Sequence, residues 1–176
     1  MTKHSQRVPK ARWQPPDLDG LMLAGLNLTG TERVLEIGAG SGRLSALLAQ
    51  AARELYALEI DPQVAERTKA SLRSLGHTNV HVIAGDGSRG WPDGAPYQAI
   101  VVGAGVREVP QELFDQLETG GRLVIPLGDT DWQLVERFRK RVDGLDSETL
   151  GGCRLEMLIG ARKTPSLFPW SSAEKA

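Results

Sequence analysis

The stretch Val34-Leu35-Glu36-Ile37-Gly38-Ala39-Gly40-Ser41-Gly42 constrains this chain more than any other. An apolar run of this kind fits a strand buried on both faces. The glycines that follow reach positive φ and carry no Cβ, so the loop they form can bring its backbone against a ligand. Residues 43–52 then have helical character. A strand, a glycine turn and a helix in that order make the nucleotide-binding corner of an open α/β sheet.

Spacing separates two ligand classes at such a corner. The dinucleotide fingerprint G-x-G-x-x-G turns backbone amides and a helix N-terminus toward a pyrophosphate. Here Arg43 stands where its third glycine belongs. The pattern E-x-G-x-G-x-G instead resembles the first motif of class I S-adenosylmethionine (AdoMet) methyltransferases, whose ligand has no phosphate. The bland alternative is a plain tight turn.

Two further strand ends point the same way. Residues 54–58 are apolar through their middle and lead to Glu59, placed to accept from ribose hydroxyls. Asp61 and Pro62 suit the cap and first position of a following helix. Residues 80–84 form a β-branched segment ending in Gly85-Asp86-Gly87. Asp86 suits an acceptor for an adenine amine, or equally an Asx turn. All three ends would lie along the carboxyl edge of one sheet, where ligands of this architecture bind.

The rest of the sequence sets bounds. A chain of 176 residues suits one domain with a substantial core. A net charge of −1 points away from nucleic acid and membrane as bulk partners. The single cysteine, Cys153, excludes an internal disulfide and fits a reducing cytoplasm, with a core role for its thiol. His4, His77 and His81 lack metal-ligand spacing, so no metal is expected. No segment has membrane-spanning length or a signal-peptide core.

The layout predicts a basic lead over residues 1–16, a methyltransferase-type domain over 17–164 and a tail over 165–176. Helices are expected at 17–26, 42–52, 62–75 and 110–117, with strands at 33–37, 54–58, 80–84, 98–102 and 121–125. This alternation implies a parallel sheet covered on both faces. Two later strands, 132–142 and 154–159, read as antiparallel partners joined by a glycine-bearing connection over 143–152. Arg137, Arg139, Lys140 and Arg141 form a basic run with two readings, an anion-steering patch or a solvated strand end.

Beyond the glycine turn, several blocks resemble one family, the protein-L-isoaspartate O-methyltransferases. They are Gly85-Asp86-Gly87, Gly90-Trp91-Pro92, Ala95-Pro96-Tyr97, Ile100-Val101-Val102, Val109-Pro110, Gln116-Leu117, the run Gly120-Gly121-Arg122-Leu123-Val124-Ile125-Pro126-Leu127-Gly128, and Gln133-Leu134. The resemblance covers about residues 16–159. It implies a Rossmann-like domain with a mostly parallel seven-stranded sheet. It implies AdoMet as cofactor, S-adenosylhomocysteine as product, and an isoaspartyl-containing peptide or protein as substrate, esterified on its α-carboxylate. The cofactor contacts it implies are Glu36, Gly38, Ala39, Gly40, Ser41, Gly42, Glu59, Ile60, Asp86, Gly87 and Gly103. It also places Trp13 and Trp91 near the cofactor edge, with a packing role as the alternative.

One block departs from the family. Its T-I-S-Q-P-like segment falls, counting back without gaps, on Arg12-Trp13-Gln14-Pro15-Pro16. Gln14 thus occupies the place of the family's active-site serine, and the lead before it is short. An amide has two N–H donors and can hold a carboxylate. A carboxylate acceptor is ionised at neutral pH, so methyl transfer to it needs alignment more than a base. Two other readings stay open: an AdoMet enzyme with another acceptor, such as a peptide side chain or RNA, and a cofactor-binding relic without activity.

Overall fold

The structure is a computed structural model that describes residues 17–160. Gln14 and Trp13 lie outside the described residues. The elements run α1 (Leu18–Leu26), β1 (Arg33–Ile37), α2 (Arg43–Ala51), β2 (Glu54–Glu59), α3 (Pro62–Ser74), β3 (Val80–Ala84), β4 (Tyr97–Val102), α4 (Gln111–Gln116), β5 (Leu117–Gly128), β6 (Gln133–Lys140) and β7 (Leu145–Cys153). Two short 3-10 turns, Gly87–Arg89 and Pro92–Gly94, lie between β3 and β4.

Two of the helices, α1 and α3, start where a side chain caps them. Asp17 caps α1, accepting from Gly20 N at 3.0 Å. Asp61 caps α3, accepting from Gln63 N at 2.8 Å and Val64 N at 3.3 Å, with Pro62 in the first turn. Arg122 of β5 closes the other end of α1, donating from Nε to Leu26 O at 2.6 Å and from its fork to Asn27 O at 3.1 Å. The helix end is thereby pinned to the sheet.

The seven strands form one sheet in the order β3-β2-β1-β4-β5-β6-β7. The first five in sequence pair parallel, while β6 and β7 are antiparallel. The chain goes from β1 outward to β2 and β3, then returns to place β4 on the other side of β1. The crevice at the carboxyl ends of β1 and β4 is therefore the topological switch point, where doubly wound sheets bind ligands.

Alternation along β1 sends Val34 and Glu36 to one face and Leu35 and Ile37 to the other, all nearly inaccessible. The first face packs Val34, Leu55, Val101 and Val124 under Met22 and Leu26 of α1 and Leu48 of α2. The second packs Leu35, Ile100 and Leu123 with Leu113 and Phe114 of α4. Trp91 packs part-buried against this second cluster, and its backbone N–H donates to Gln116 Oε1 at 2.7 Å.

Three expected boundaries are corrected. The last strand is Leu145–Cys153, all but its final residue in the span predicted as a connection, and residues 154–159 form no strand of the sheet. Those residues cross the carboxyl edge instead, held to Gly105 by Gly105 N to Glu156 O and Leu158 N to Gly105 O, both 2.8 Å. Leu117 opens β5 and does not end α4, and β5 runs on to Gly128.

Removing the α3 cap tests the local account. Asp61→Ala should lower unfolding free energy by about 1 kcal/mol in a urea titration, with the m-value unchanged. No loss would show that Pro62 and packing alone start the helix.

Candidate active site

The glycine loop is fixed by its own backbone. Gly38, Gly40 and Gly42 all adopt positive φ, at 85°, 52° and 80°. Around Gly40 an added Cβ would meet nothing within 4 Å, so conformation and not space requires glycine there. At the end of β4 the requirement is space: a Cβ on Gly103 would lie 2.8 Å from Gly38 O. The two strand ends approach backbone to backbone, and Gly103 N donates to Ile37 O at 2.8 Å.

The loop amides are largely used within the protein. Gly38 N and Ala39 N both donate to Leu58 O at 2.9 Å, and Gly42 N donates to Ala39 O at 2.9 Å. Gly40 N donates to Glu59 Oε2 at 2.8 Å, while Thr68 Oγ1 of α3 donates to Gly40 O at 2.6 Å. A phosphate-binding loop needs those N–H groups free to face an anion. This loop offers room and a rigid edge, which suits a ligand without phosphate.

Glu36 is the unusual group. Its side chain is fully buried between β1 and α2. Oε2 accepts from Ser45 Oγ at 2.5 Å, and Oε1 has no partner among the described residues. Burial pushes its pKa up to about 8; the Ser45 hydroxyl opposes this, and the negative charges of Asp19 and Glu59 add to it. The free protein therefore holds Glu36 largely as a neutral acid at pH 7.

Beside it opens a cavity of about 380 Å³. Its wall comes from Leu18, Asp19 and Met22 of α1, from Glu36, the 38–41 loop and Gly103, and from Arg43 and Leu44 of α2. Leu155 closes one side from the crossing segment. Of the residues expected from sequence, this brings together Glu36, Gly38, Ala39, Gly40, Ser41 and Gly103. Gly42 sits just behind as the N-cap of α2.

Glu59, Ile60, Asp86 and Gly87 occupy the adjoining strand ends and do not line the cavity. Glu59 Oε1 accepts from Asp61 N at 3.0 Å. Each of its oxygens is engaged once and retains a lone pair for another donor. Ile60 beside it is 42 % exposed, an apolar surface next to a polar one. Asp86 does form the local turn, its Oδ1 accepting from Ser88 N at 2.9 Å. Gly160 also approaches its carboxylate, since a Cβ there would sit 2.5 Å from both oxygens. Sequence reasoning missed this approach, along with the wall residues Asp19, Met22, Arg43 and Leu155. Only the fold brings them near the glycine loop, so no local spacing marked them.

Two other sequence features have roles within the fold. Cys153 is buried, and burial raises its thiol pKa to about 11. The basic run divides across β6: Lys140 Nζ donates to Phe114 O and Leu117 O at 2.7 Å, while Arg137 and Arg141 pair with Glu148 and Asp146 on β7. Among the described residues, no helix is long and apolar enough to cross a membrane.

The raised Glu36 pKa has a signed consequence for stability. The folded value of about 8 exceeds the ordinary 4.5, so the folded state keeps a proton that the unfolded chain releases. The associated stability is complete below about pH 4.5 and is lost as pH rises toward 8. Glu36→Gln should therefore melt at a higher temperature than the parent, by a margin that widens between pH 5 and 8. An equal margin at every pH would contradict the assignment.

Comparison with known proteins places these features in a group. The sequence model of the family described as protein-L-isoaspartate(D-aspartate) O-methyltransferase matches residues 10–155. Protein-L-isoaspartate O-methyltransferase 1 of Rhodopseudomonas palustris is 46% identical over 162 residues, which is 91% of this chain and 66% of the relative. Its namesake from Syntrophobacter fumaroxidans is 43% identical over 145 residues, 82% of this chain and 68% of the relative. A solved protein-L-isoaspartate O-methyltransferase superposes with a TM-score of 0.76 at 31% identity, over 83% of this chain and 48% of that one. A Plasmodium falciparum protein assigned to the same class, in complex with S-adenosyl-L-homocysteine, gives 0.67 at 22% identity over 81% of this chain and 73% of its own, which bears on the fold alone. The chain thus spans about two thirds of the length of these curated relatives.

Proposed function

The chain belongs to the protein-L-isoaspartate(D-aspartate) O-methyltransferase family, and we propose that it is an AdoMet-dependent carboxyl methyltransferase acting on isoaspartyl residues of peptides or proteins. The observation that carries the cofactor reading is Glu36 Oε1, without a partner among the described residues, beside a cavity at the switch point. A buried acid with one vacant oxygen suits a ligand that brings a cation. The tied loop amides argue against a phosphate-bearing alternative. Glu59 and Ile60 offer an acceptor pair and an apolar surface for a ribose and its base, and Asp86 with Gly87 offers an acceptor for the base edge. We place the protein in the cytoplasm, where one buried thiol is compatible with a reducing environment.

AdoMet, when bound, supplies an electrophilic methyl group on a sulfonium. The chain contributes binding and alignment. The loop and Gly103 set a rigid floor, Glu36 provides negative charge, and Leu18, Met22, Leu44 and Leu155 restrict water at the wall. Alignment of this kind accounts for roughly 7–11 kcal/mol in well-oriented systems. An isoaspartyl α-carboxylate is already ionised near neutrality, so no general base is needed. Gln14, at the family serine position, is our choice for the side chain that holds this carboxylate through its amide N–H groups.

The reading is tested by incubating the chain with methyl-labelled AdoMet and an isoaspartyl peptide. Base-labile label, released as methanol, is expected from that peptide and not from its normal aspartyl counterpart. Binding of AdoMet without any transfer would defeat the enzymatic reading. Gln14→Ala should lower kcat on the peptide about tenfold and leave AdoMet affinity alone; unchanged kcat would remove Gln14 from the site.

Cofactor affinity should also depend on pH. Below about 8 Glu36 must lose its proton to face a cation, so binding releases a proton. Affinity should rise by up to about tenfold per pH unit from 6 to 7.5. It should flatten near 8, where the ligand's own ammonium, with a reference pKa of about 8, begins to titrate. Glu36→Gln should remove that slope. A parent slope of zero would mean that Glu36 keeps one protonation state throughout.

A further inference from the structure

We propose that Asp19 and Arg43, ion-paired on the cavity wall, recognise the amino-acid end of the sulfonium cofactor and discriminate it from nucleosides that lack that end. This rests on the AdoMet reading above and adds a specificity element from α1 and α2.

The pair joins the two helices that frame the cavity. Arg43 is the first residue of α2 and Asp19 the second of α1, and Arg43 Nε donates to Asp19 Oδ2 at 2.5 Å. Only part of each group is used. Asp19 Oδ1 and the terminal nitrogens of Arg43 have no partner among the described residues, and the Arg43 side chain remains 73 % exposed. The pair can therefore offer an acceptor and several donors to a ligand while staying intact. A surface ion pair with this exposure contributes little to stability by itself, whereas a guanidinium fork matches a carboxylate well.

Charge complementarity makes the choice of ligand specific. Asp19, Glu36 and Arg43 line one cavity. Two carboxyl groups and one guanidinium there face a ligand that carries an ammonium, a sulfonium and one carboxylate. A dinucleotide phosphate chain would meet two acids instead. The groups that suit a nucleoside, Glu59, Ile60 and Asp86, lie outside this cavity. Separate parts of the site would thus serve the two ends of the ligand.

Calorimetry with three probes tests this: AdoMet, S-adenosylhomocysteine, and 5′-methylthioadenosine, which keeps the nucleoside and thioether without the amino acid. Asp19→Asn and Arg43→Gln are each expected to weaken the first two about tenfold or more and leave methylthioadenosine unchanged. The exchanged pair, Asp19→Arg with Arg43→Asp, keeps an ion pair between the helices but reverses its polarity. It should melt like the parent and still bind AdoMet poorly. Restored affinity in the exchanged pair would show a purely structural role. So would equal weakening of all three probes in the single variants, and unchanged AdoMet affinity would likewise overturn the proposal. Should a single variant fail to fold, Arg43→Lys keeps the charge without the fork; it should lose affinity for both amino-acid-bearing probes, and parent-like affinity there would overturn the proposal. If the parent chain binds none of the three, the AdoMet reading itself fails; if it binds all three equally well, only the discrimination fails.

Discussion

The carboxyl group of Glu36 is the constraint around which the site is arranged. It sits within the sheet-to-helix core with one hydrogen bond, from Ser45, and one oxygen without a partner among the described residues. A buried carboxylate in that position carries a large desolvation cost, which the free protein avoids by keeping the proton. The same cost makes the group responsive: a cation entering the cavity would favour its ionised form. Position matters as much as chemistry. Glu36 is one residue before the end of β1, so its side chain turns toward α2 while the next residue's turns to the opposite face.

The topology explains why other groups converge there. Since β2 and β4 flank β1, the loops leaving β1 and β4 diverge and open a crevice between them. Gly103 lets the strand ends meet backbone to backbone at its base. The glycine loop is then stapled to Leu58, Glu59 and Thr68, which belong to the next β–α unit. The segment after β7 crosses this edge and meets Gly105 and Asp86. Rigidity of the floor comes from neighbouring units, and its outer side is shaped by the chain's return path.

The central sheet was legible because its strands are buried on both faces. Val34 to Ile37 and Ala99 to Val102 have no exposed alternation to confuse, and turn residues bound them. The end of the sheet was less legible for the opposite reason. Leu145 through Thr149 are exposed, so β7 carries a polar sequence with no buried stripe. Two glycines near its end resemble a turn but lie in the strand. Residues 154–159 looked like a strand because Leu155, Met157 and Leu158 are apolar, yet they pack across the carboxyl edge. At the site, Gly103 came only with the family resemblance, while the glycine loop and Glu36 could be read from spacing. Asp19 and Arg43 could not: they are 24 residues apart, and only the docking of α1 beside α2 joins them. Whether Glu59 and Asp86 contact a nucleoside was also beyond the sequence, since both serve local backbone donors as well.

The economy of this site favours function over maximal stability. A neutral, well-packed residue at position 36 would avoid an unpartnered buried oxygen, and replacing buried polar groups with close isosteres often costs nothing or stabilises. The acid is therefore poorly explained as a structural element. Its hydrogen bond to Ser45 fixes its orientation without satisfying its second oxygen, which a residue selected for packing would not leave open. Asp19 deepens the argument, because a second acid nearby makes ionisation of Glu36 harder still. Such an arrangement is unfavourable in isolation and becomes favourable only when positive charge enters the cavity. The carboxyl pair thus favours a ligand that carries positive charge, an argument separate from the glycine pattern that first suggested its class.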